Sequence, residues 1–305
     1  MNSTPENIAR LLEEKYLEDF CRARNIRYFS FKDAFWMSRG MRLFSPWPSS
    51  RPISLSSKEL HFMWKQGAMF LHYSCSNGKP YYPGYDLVVD NKNYDLDYIA
   101  SPKRRHNIRW ALKRCAVERI SFDSLVKSCP PLIEDTHGRQ GRVFNDSVLE
   151  MWKNYFKLAE SNPLFEAWGS FVSNQLAAFH VCLCVGGAVH IEMTFSRTDL
   201  LKYHPVDALC FVSTRQSMAK KAVTHVSYGR RPITGEAEGL INFKTSMGFK
   251  KIPVKERVEI NPIMKPLLIG PFGLVTHHLT ERYSERSMYA RMIFAVTSIL
   301  RDQVN

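Results

Sequence analysis

The sequence lacks the features that mark several protein classes, and each absence narrows the function. Its seven cysteines are odd in number and scattered, without a C-x-x-C pair, which excludes a disulfide framework and a zinc ribbon. It has no P-loop, H-E-x-x-H sequence, dinucleotide fingerprint or recognisable Ser-His-Asp set. The apolar run MIFAVTSIL at 292–300 is too short to cross a bilayer. We predict neither a metal site nor a membrane span.

Acidic residues are also scarce relative to basic ones. The chain has 29 Asp and Glu against 42 Lys and Arg, a formal net charge of +13. Such a charge permits attraction to phosphates, nucleic acid or acidic surfaces, but it also keeps a protein soluble and says nothing about the fold. With 45% hydrophobic residues the composition is globular, and 305 residues are enough for two domains.

The first residues predict a helix. In STPENIARLLEEKYLEDF, Thr4 is the expected N-cap and Pro5 the first helical residue, followed by apolar Ile8, Leu11 and Leu12. This is a capped amphipathic helix and not a signal peptide. Together with the unpaired cysteines it predicts a cytoplasmic protein.

The segment CPPLIEDTHGRQG at 129–141 holds two prolines and two glycines without periodicity. We therefore predict a domain boundary near residue 135, which separates residues 1–135 from residues 136–305. On the first side we expect strands at 68–75, 85–90 and 117–122 and a basic helix at 101–115. A helix at 145–161 follows the boundary.

The hairpin LAAFHVCLCVGGAVHIEMTFS at 176–196 is the clearest local signal. A two-residue turn at Gly186-Gly187 pairs Val185 with Ala188 and places His190, Glu192 and Thr194 on one face. Both faces are largely apolar, so we expect both to be covered. The hairpin thus predicts a layered α/β domain.

A helix at 205–222, a strand at 223–229, a helix at 239–248, a strand at 254–260 and a closing helix at 284–303 follow. In the second of these helices, Leu240, Phe243 and Met247 predict an apolar stripe and Gly248 a C-terminal cap. We therefore expect the side chain of Lys244 to point away from the core.

Two segments carry a resemblance to a known family. The helix GLINFKTSMGF matches the pattern G-L-x-x-F-K-x-x-F/M-G at Gly239, Leu240, Phe243, Lys244, Met247 and Gly248. The segment SPKRRHNIRWALKRC matches S-x-K-x-R-x-x-I-R-x-A-x-K at Ser101, Lys103, Arg105, Ile108, Arg109, Ala111 and Lys113. In this order and spacing they resemble FemAB-type proteins of the wider GNAT superfamily of N-acyltransferases. The resemblance implies a mixed sheet with helices on both faces, in tandem GNAT-like domains.

The resemblance also implies a reaction, the transfer of an acyl group from acyl-CoA to an amine on a small molecule or peptide. One departure concerns the donor. The usual R/Q-x-x-G-x-G/A loop that binds the CoA pyrophosphate is replaced by KYHPVDALCF, which has none of its glycines. The relatives that build peptidoglycan cross-bridges use aminoacyl-tRNA instead, and they often carry a coiled-coil arm, for which no heptad run is present here. A catalytically inactive module that binds RNA or protein is the third alternative.

Three residues are the predicted catalytic groups. Lys244 would hold a phosphate or the acyl carbonyl at the mouth of the cleft, unless it is a solvated lysine. Tyr228, at a strand end, would serve the acyl donor by protonating its leaving group or orienting the acyl group, and otherwise it is a packing residue. Glu192 would accept the proton of the attacking amine, since we expect it to be buried and a buried carboxylate without a role is expensive.

Further cations are the predicted binding groups. Arg104, Arg105 and Arg109 on the basic helix would hold phosphates, with buried Ile108, Ala111, Leu112 and Cys115 behind them. Arg230 and Arg231 would clamp an anionic group of the substrate, and His190 would contribute beside Glu192. For the helix, a solvated basic face is the simpler alternative.

Overall fold

The computed structural model describes residues 5–47, 49, 51–76, 82–230, 238–268, 271–283 and 293–298. Its helices are α1 Pro5–Ala23, α2 Ser57–Lys65, α3 Pro102–Leu112, α4 Phe122–Ser128, α5 Pro130–Arg139, α6 Asp146–Glu160, α7 Pro205–Ala219, α8 Glu238–Ser246, α9 Lys265–Leu268 and α10 Pro271–Tyr283. Its strands are β1 Tyr28–Phe31, β2 Ala34–Ser38, β3 Leu43–Trp47, β4 Phe70–Ser74, β5 Tyr82–Val89, β6 Cys115–Ile120, β7 Phe165–Val172, β8 Gln175–Val185, β9 Ala188–Ser196, β10 His225–Arg230 and β11 Lys250–Ile260.

The chain forms two compact units, each built from separate stretches of sequence. The first consists of residues 1–24, 87–229 and 238–251, and the second of residues 25–86, 230–237 and 252–305. Residue 135 lies in α5, within the first unit. This division does not test a duplication into two GNAT-like halves, so the boundary near residue 135 stays a prediction.

The first unit contains a mixed sheet in the strand order β10-β9-β8-β7-β6. β9 and β10 are parallel, and the other neighbours are antiparallel. On one face, His180 Nε2 lies 2.8 Å from Ser213 Oγ of α7. On the other, Phe179 packs against Phe156 of α6 with 5.8 Å between ring centroids. The predicted mixed sheet with helices on both faces is confirmed.

The β8–β9 hairpin turns at Gly186 and Gly187, with φ of +60° and +74° as a tight two-residue turn requires. The predicted register is confirmed from Val185 opposite Ala188 to Cys182 opposite Ile191. Beyond that it is wrong by one residue, because Val181 lies opposite Met193. The extra residue is Glu192, which forms a β-bulge.

The strands of the second unit follow the order β1-β2-β3-β4-β11, with a parallel pair at β3 and β4. Alternating residues of these strands feed two clusters. Phe44 and Leu71 pack with Met63 of α2, and their neighbours Leu43 and Phe70 pack with Leu268 of α9. This alternation places apolar side chains on both faces of the sheet.

Local chemistry explains where several helices begin. The side chains of Ser56, Ser101, Ser121 and Asn145 each accept a hydrogen bond from a backbone N–H in the first turn of the following helix. Ser56 and Glu59 form a complete capping box at α2. The helices predicted at 101–115 and 145–161 are confirmed as α3 and α6.

Other expectations need correction. The proline-rich segment after Cys129 forms α5, because Pro130 and Pro131 occupy the first turn, where no intrahelical N–H partner is lost. The aromatic stretch 27–52, to which no strands were assigned, forms β1, β2 and β3. Of the predicted closing helix at 284–303, residues 293–298 are helical and the rest lies outside the described residues. In the part of the chain that the structure describes, no helix has both the length and the apolarity to cross a bilayer.

Candidate active site

The parallel strands β9 and β10 separate at one end. Their pairing joins Ala188–His190 to His225–Ser227, whereas β9 continues to Ser196. The bulge at Glu192 begins where this pairing stops. An edge of β9 beyond His190 is therefore left outside the β9–β10 ladder, with backbone groups that can pair with an extended ligand.

Tyr228 lies at this opening, immediately after the last paired residue of β10. It is 7% exposed, and its hydroxyl is 3.1 Å from Thr194 Oγ1 of β9. Side chains thus connect the two strands where the backbone ladder has ended. The contact fixes the position of the tyrosine hydroxyl.

Lys244 projects toward the same tyrosine from α8. Its Nζ lies 4.9 Å from the centroid of the Tyr228 ring, and the residue is 7% exposed. An ammonium this deeply buried beside an aromatic ring is stabilised by the ring's negative face. The expectation that Lys244 points away from the core was wrong, and so was the expected burial of Leu240, which is 44% exposed.

The end of α8 fixes Lys244 in place. The N–H of Phe249 donates to the carbonyl of Lys244 and the N–H of Gly248 donates to that of Thr245, which together make a Schellman motif. Gly248 has φ of +93°, as that motif needs. The predicted glycine cap is confirmed, and buried Phe249 packs on Tyr228 with 5.4 Å between centroids.

A second layer surrounds Arg104 of α3. Its guanidinium lies 4.8 Å from the Phe243 ring centroid, and its Nε donates to Ser246 Oγ at 3.0 Å. Its NH1 donates to Asp207 Oδ1 in the first turn of α7. Arg104 therefore joins α3, α7 and α8, which makes it a positioning residue for the helix that carries Lys244.

The start of α7 differs from a phosphate-binding helix. Pro205 removes one N–H donor, and the buried carboxylate of Asp207 occupies the first turn. His204 Nδ1 lies 3.8 Å from that carboxylate. A helix N-terminus attracts anions because of its free N–H groups and its dipole, and here the chain supplies its own anion.

The remaining cations of α3 have different environments. Arg105 NH1 donates to the carbonyl of Ile99 at 2.6 Å, and Arg109 is exposed. Trp110 is 42% exposed, with the Arg114 guanidinium carbon 3.3 Å from its ring centroid. Ile108, Ala111 and Cys115 are buried as predicted, but Leu112 is 38% exposed.

His190 and Glu192 do not share an environment. His190 is buried in the parallel ladder opposite Ser227, and its ring meets that of His225 at 6.4 Å. Glu192 is exposed at the bulge. The premise that this carboxylate is buried was wrong, whereas its role stays a prediction.

The two arginines after Tyr228 belong to the second unit. Arg230 is paired with Asp86 at 2.9 Å and lies 3.2 Å from Glu256, while Arg231 lies outside the described residues. One guanidinium between two carboxylates leaves an excess of negative charge. Arg230 is thus already paired with two carboxylates, and its role as a clamp for an anionic group stays a prediction.

Thiols do not contribute a nucleophile here. Burial raises the pKa of Cys210, on α7 near the site, to about 12, and Asp207 adds to the increase. Burial also raises the pKa of Cys184 to about 12. Both thiols therefore stay protonated at neutral pH. Among the described residues, no group of three or more His, Cys, Asp or Glu side chains is placed to hold a metal ion.

Sequence reasoning did not identify the contact of Thr194 with Tyr228 or that of Asp207 with Arg104. It also did not identify Arg104 as the residue that joins α3, α7 and α8. Arg104 could have been found, because it precedes Ile108 by four residues and Ala111 by seven and so shares their buried face. Thr194 could not, since its contact with Tyr228 depends on the bulge.

Comparison with known proteins gives the fold. No family model matches the chain, and no curated protein matches its sequence. Among solved structures it is similar to FemX, with a TM-score of 0.59 and 10% identity over 88% of this chain and 99% of that one. It is also similar to the C-terminal domain assigned to a lysylphosphatidylglycerol synthetase from Agrobacterium fabrum, with a TM-score of 0.55 and 13% identity over 87% and 97% of the two chains. A third similar structure is L-PGS from Bacillus licheniformis, with a TM-score of 0.54 and 14% identity over 88% and 96%. The suspected FemAB-type resemblance is thereby confirmed at the level of the fold, and the chain has a FemX-like α/β fold.

Proposed function

We propose that the chain is an N-acyltransferase, which passes an acyl group to an amine by direct attack and without a covalent enzyme intermediate. The observation that carries this proposal is the buried ammonium of Lys244, 4.9 Å from the Tyr228 ring at the point where β9 and β10 separate. The FemX-like fold supports it.

Each step has a group on this chain. The amine nitrogen forms a bond to the acyl carbonyl carbon, whose oxygen becomes an oxyanion. The buried ammonium of Lys244 stabilises that charge, which is worth most where water is excluded. Tyr228, oriented by Thr194, then donates a proton to the leaving group as its bond to carbon breaks. Glu192, the exposed carboxylate at the bulge, receives the proton of the amine.

Acyl-CoA is the first candidate donor. The part of β9 beyond His190 lies outside the β9–β10 ladder, and we propose that it pairs with an extended chain that carries amides, as the pantetheine arm of CoA does. Arg105 and Arg109 of α3 are the cations proposed for its phosphates. We also propose that the reaction takes place in the cytoplasm, and the seven free cysteines support this proposal.

An aminoacyl-tRNA is the second candidate donor, and one observation favours it. The first turn of α7, where a CoA pyrophosphate would be expected, already contains the Asp207 carboxylate. Meanwhile α3 contains no acidic residue, and Lys103, Arg109, Trp110 and the C-cap Lys113 are exposed. A basic helix face with an exposed aromatic suits an RNA backbone.

Thermal unfolding with added donors separates these candidates. Acetyl-CoA, a longer acyl-CoA, aminoacylated tRNA and the same tRNA deacylated are added to the full chain. A bound donor at about 100 times its dissociation constant adds roughly 2.7 kcal/mol to the free energy of unfolding. Stabilisation by acyl-CoA supports the first donor, and stronger stabilisation by aminoacylated than by deacylated tRNA supports the second. Equal, salt-sensitive stabilisation by both tRNAs with none by acyl-CoA contradicts the enzyme and favours an RNA-binding module.

A further inference from the structure

Two neighbouring turns on the surface of the first unit combine exposed leucines with cations. One is the end of α3, where Leu112, Lys113 and Arg114 are exposed in succession. The other is the short 3₁₀ turn Leu201–Tyr203, whose first two residues, a leucine and a lysine, are exposed. The two leucines are 38% and 37% exposed, respectively. In each turn, therefore, an exposed leucine directly precedes a lysine.

Contacts within the first unit hold these two turns side by side. Cys115, which follows the first turn, has its Sγ 3.5 Å from the carbonyl oxygen of Tyr203 in the second. Leu200 and Tyr203 pack on the buried cluster that Ala111 and Cys115 share with Ala208 of α7. Both turns therefore belong to one surface of the first unit.

Two aromatic rings border this surface, and each has a cation over its face. The Arg114 guanidinium carbon lies 3.3 Å from the ring centroid of Trp110, which is 42% exposed. Lys202 Nζ lies 5.2 Å from the ring centroid of Tyr203. Long basic side chains cover apolar surface with their methylene stems and keep the charged end in water. We call the exposed members of this surface the amphipathic patch, which consists of Trp110, Leu112, Lys113, Arg114, Leu201 and Lys202.

The electrostatic character of the amphipathic patch is cationic, since three of its six residues are basic and none is acidic. Acidic residues close to it are engaged by other cations. Asp199 accepts hydrogen bonds from Arg197 Nε at 3.0 Å and from NH2 at 2.8 Å, and Asp207 is paired with Arg104. Glu118 on β6 is exposed, and one carboxylate offsets only one of the three charges. The surface is therefore net positive.

We propose that the amphipathic patch binds the surface of a membrane that contains anionic phospholipids. Its cations contact the acidic headgroups, while its two leucines and its tryptophan enter the boundary between headgroups and acyl chains. Tryptophan is favoured at that depth, because its ring is apolar and its N–H is polar. This inference goes beyond the proposed acyl transfer and does not depend on it.

Single-stranded RNA is the alternative occupant, since it also attracts cations and its bases stack on an exposed aromatic ring. The leucines favour the membrane. Removing an aliphatic side chain from water stabilises a lipid-bound state, whereas phosphates and stacked bases offer it no comparable contact. Leu112 and Leu201 therefore distinguish the two partners.

Vesicle sedimentation tests the proposal on the full-length protein. Vesicles of phosphatidylcholine alone are compared with vesicles of equal parts phosphatidylcholine and phosphatidylserine at constant ionic strength. The proposal predicts saturable binding to the anionic vesicles and binding to the neutral ones that is weaker by about 10-fold or more. Equal binding to both, or binding to neither, would overturn it. Binding of tRNA without binding of either vesicle would overturn it in favour of a nucleic-acid surface.

The double variant Leu112→Ser/Leu201→Ser removes the aliphatic side chains of the patch and keeps its charge. Binding to the anionic vesicles should weaken by about 10-fold or more, because two leucines no longer leave water on binding. The matched control is Leu11→Ser/Leu12→Ser, which changes two leucines of α1 that are 58% and 50% exposed and should bind as the wild type does. Unchanged binding in the patch variant would refute the proposal.

A second double variant, Lys113→Gln/Lys202→Gln, tests the charge. Each cation near an anionic surface contributes about fivefold in affinity, so binding should weaken by about 25-fold. Lys15→Gln/Lys157→Gln makes the same change in net charge at exposed positions of α1 and α6 and should have little effect. Equal losses in the two double variants would assign the binding to the overall charge and would overturn the patch. Melting temperatures establish that each variant is folded, and the single substitutions at residues 201 and 202 replace a patch variant that is not.

Discussion

Replacing Lys244 by methionine removes the buried cation and keeps a straight side chain of similar length. At an effective dielectric constant of about 20, a unit charge about 4 Å from a developing oxyanion contributes roughly 4 kcal/mol. Loss of one oxyanion-stabilising group typically lowers kcat by about 10²–10³, or about 2.7–4 kcal/mol. We therefore expect Lys244→Met to consume donor about 10²–10³ times more slowly than the wild type.

The free energy of unfolding should change much less than the rate of donor consumption in Lys244→Met. Lys244 is 7% exposed, so alanine would leave a cavity, whereas methionine refills most of the volume and ends the desolvation of a cation. We expect the free energy of unfolding to change by about 1 kcal/mol or less in Lys244→Met. A truncation to alanine confuses the loss of charge with the loss of packing.

The assay follows thiol release from acyl-CoA or amino-acid release from aminoacyl-tRNA, with urea unfolding measured in parallel. Lys250→Met is the matched control, because Lys250 also lies over a tyrosine, with its Nζ 5.5 Å from the Tyr98 ring centroid, but is exposed. Donor turnover within about threefold of wild type in Lys244→Met would refute the reasoning. So would a loss of stability large enough to explain the lost activity.

Three further predictions concern Tyr228, Gly248 and His180. Tyr228→Phe keeps the ring below Lys244 but removes the hydroxyl next to Thr194, so donor turnover should fall by about 10²-fold; full activity by the same assay would reduce Tyr228 to a packing role. Gly248→Ala should lower the free energy of unfolding in urea by about 1–2 kcal/mol, since φ is +93° and the new Cβ would lie 3.0 Å from Tyr98; an unchanged value would contradict the cap. Burial lowers the pKa of His180 to about 3 from 6.5, so the unfolded state binds a proton that the folded state does not. The contribution of His180 to the free energy of unfolding should therefore be fully present above pH 6.5. It should fall by up to about 1.4 kcal/mol per pH unit between pH 6.5 and 3. Urea unfolding of His180→Gln should lack that component, and equal slopes in the two proteins would contradict it.

Much of the secondary structure follows from local signals. The cap at Ser101 and the face formed by Ile108 and Ala111 predict α3, and the Gly186-Gly187 turn predicts the hairpin, because capping and turn chemistry act over a few residues. The prolines of α5 misled the prediction, since the same residue that ends a helix is tolerated in its first turn.

The register beyond the bulge could not be predicted, and the reason is physical. Alternation specifies register only where one face of a strand is buried and the other is wet. Both faces of β8 are covered, so a slip of one residue at Glu192 exchanges one buried face for another. The prediction for Thr194 and Glu192 depended on that register.

The helical pattern of α8 could not predict the environment of Lys244 either. An apolar stripe in α8 places Leu240 in the core and Lys244 near its edge, yet Leu240 is exposed and Lys244 is buried. The burial of the cation depends on the Tyr228 ring, contributed by another element. The motif singled out Lys244 as a candidate, but only the tertiary structure shows which group its side chain meets.

The most direct test of the proposed acyl transfer is to look for its product. The full-length protein is incubated with a mixture of primary amines and, separately, with acetyl-CoA, a longer acyl-CoA and aminoacylated tRNA, and the amines are analysed by mass spectrometry. The account predicts a new amide from at least one donor, which is lost in Lys244→Met and retained in Lys250→Met. The transferase proposal is contradicted if the protein accelerates the loss of none of the donors and yet binds aminoacylated and deacylated tRNA equally well.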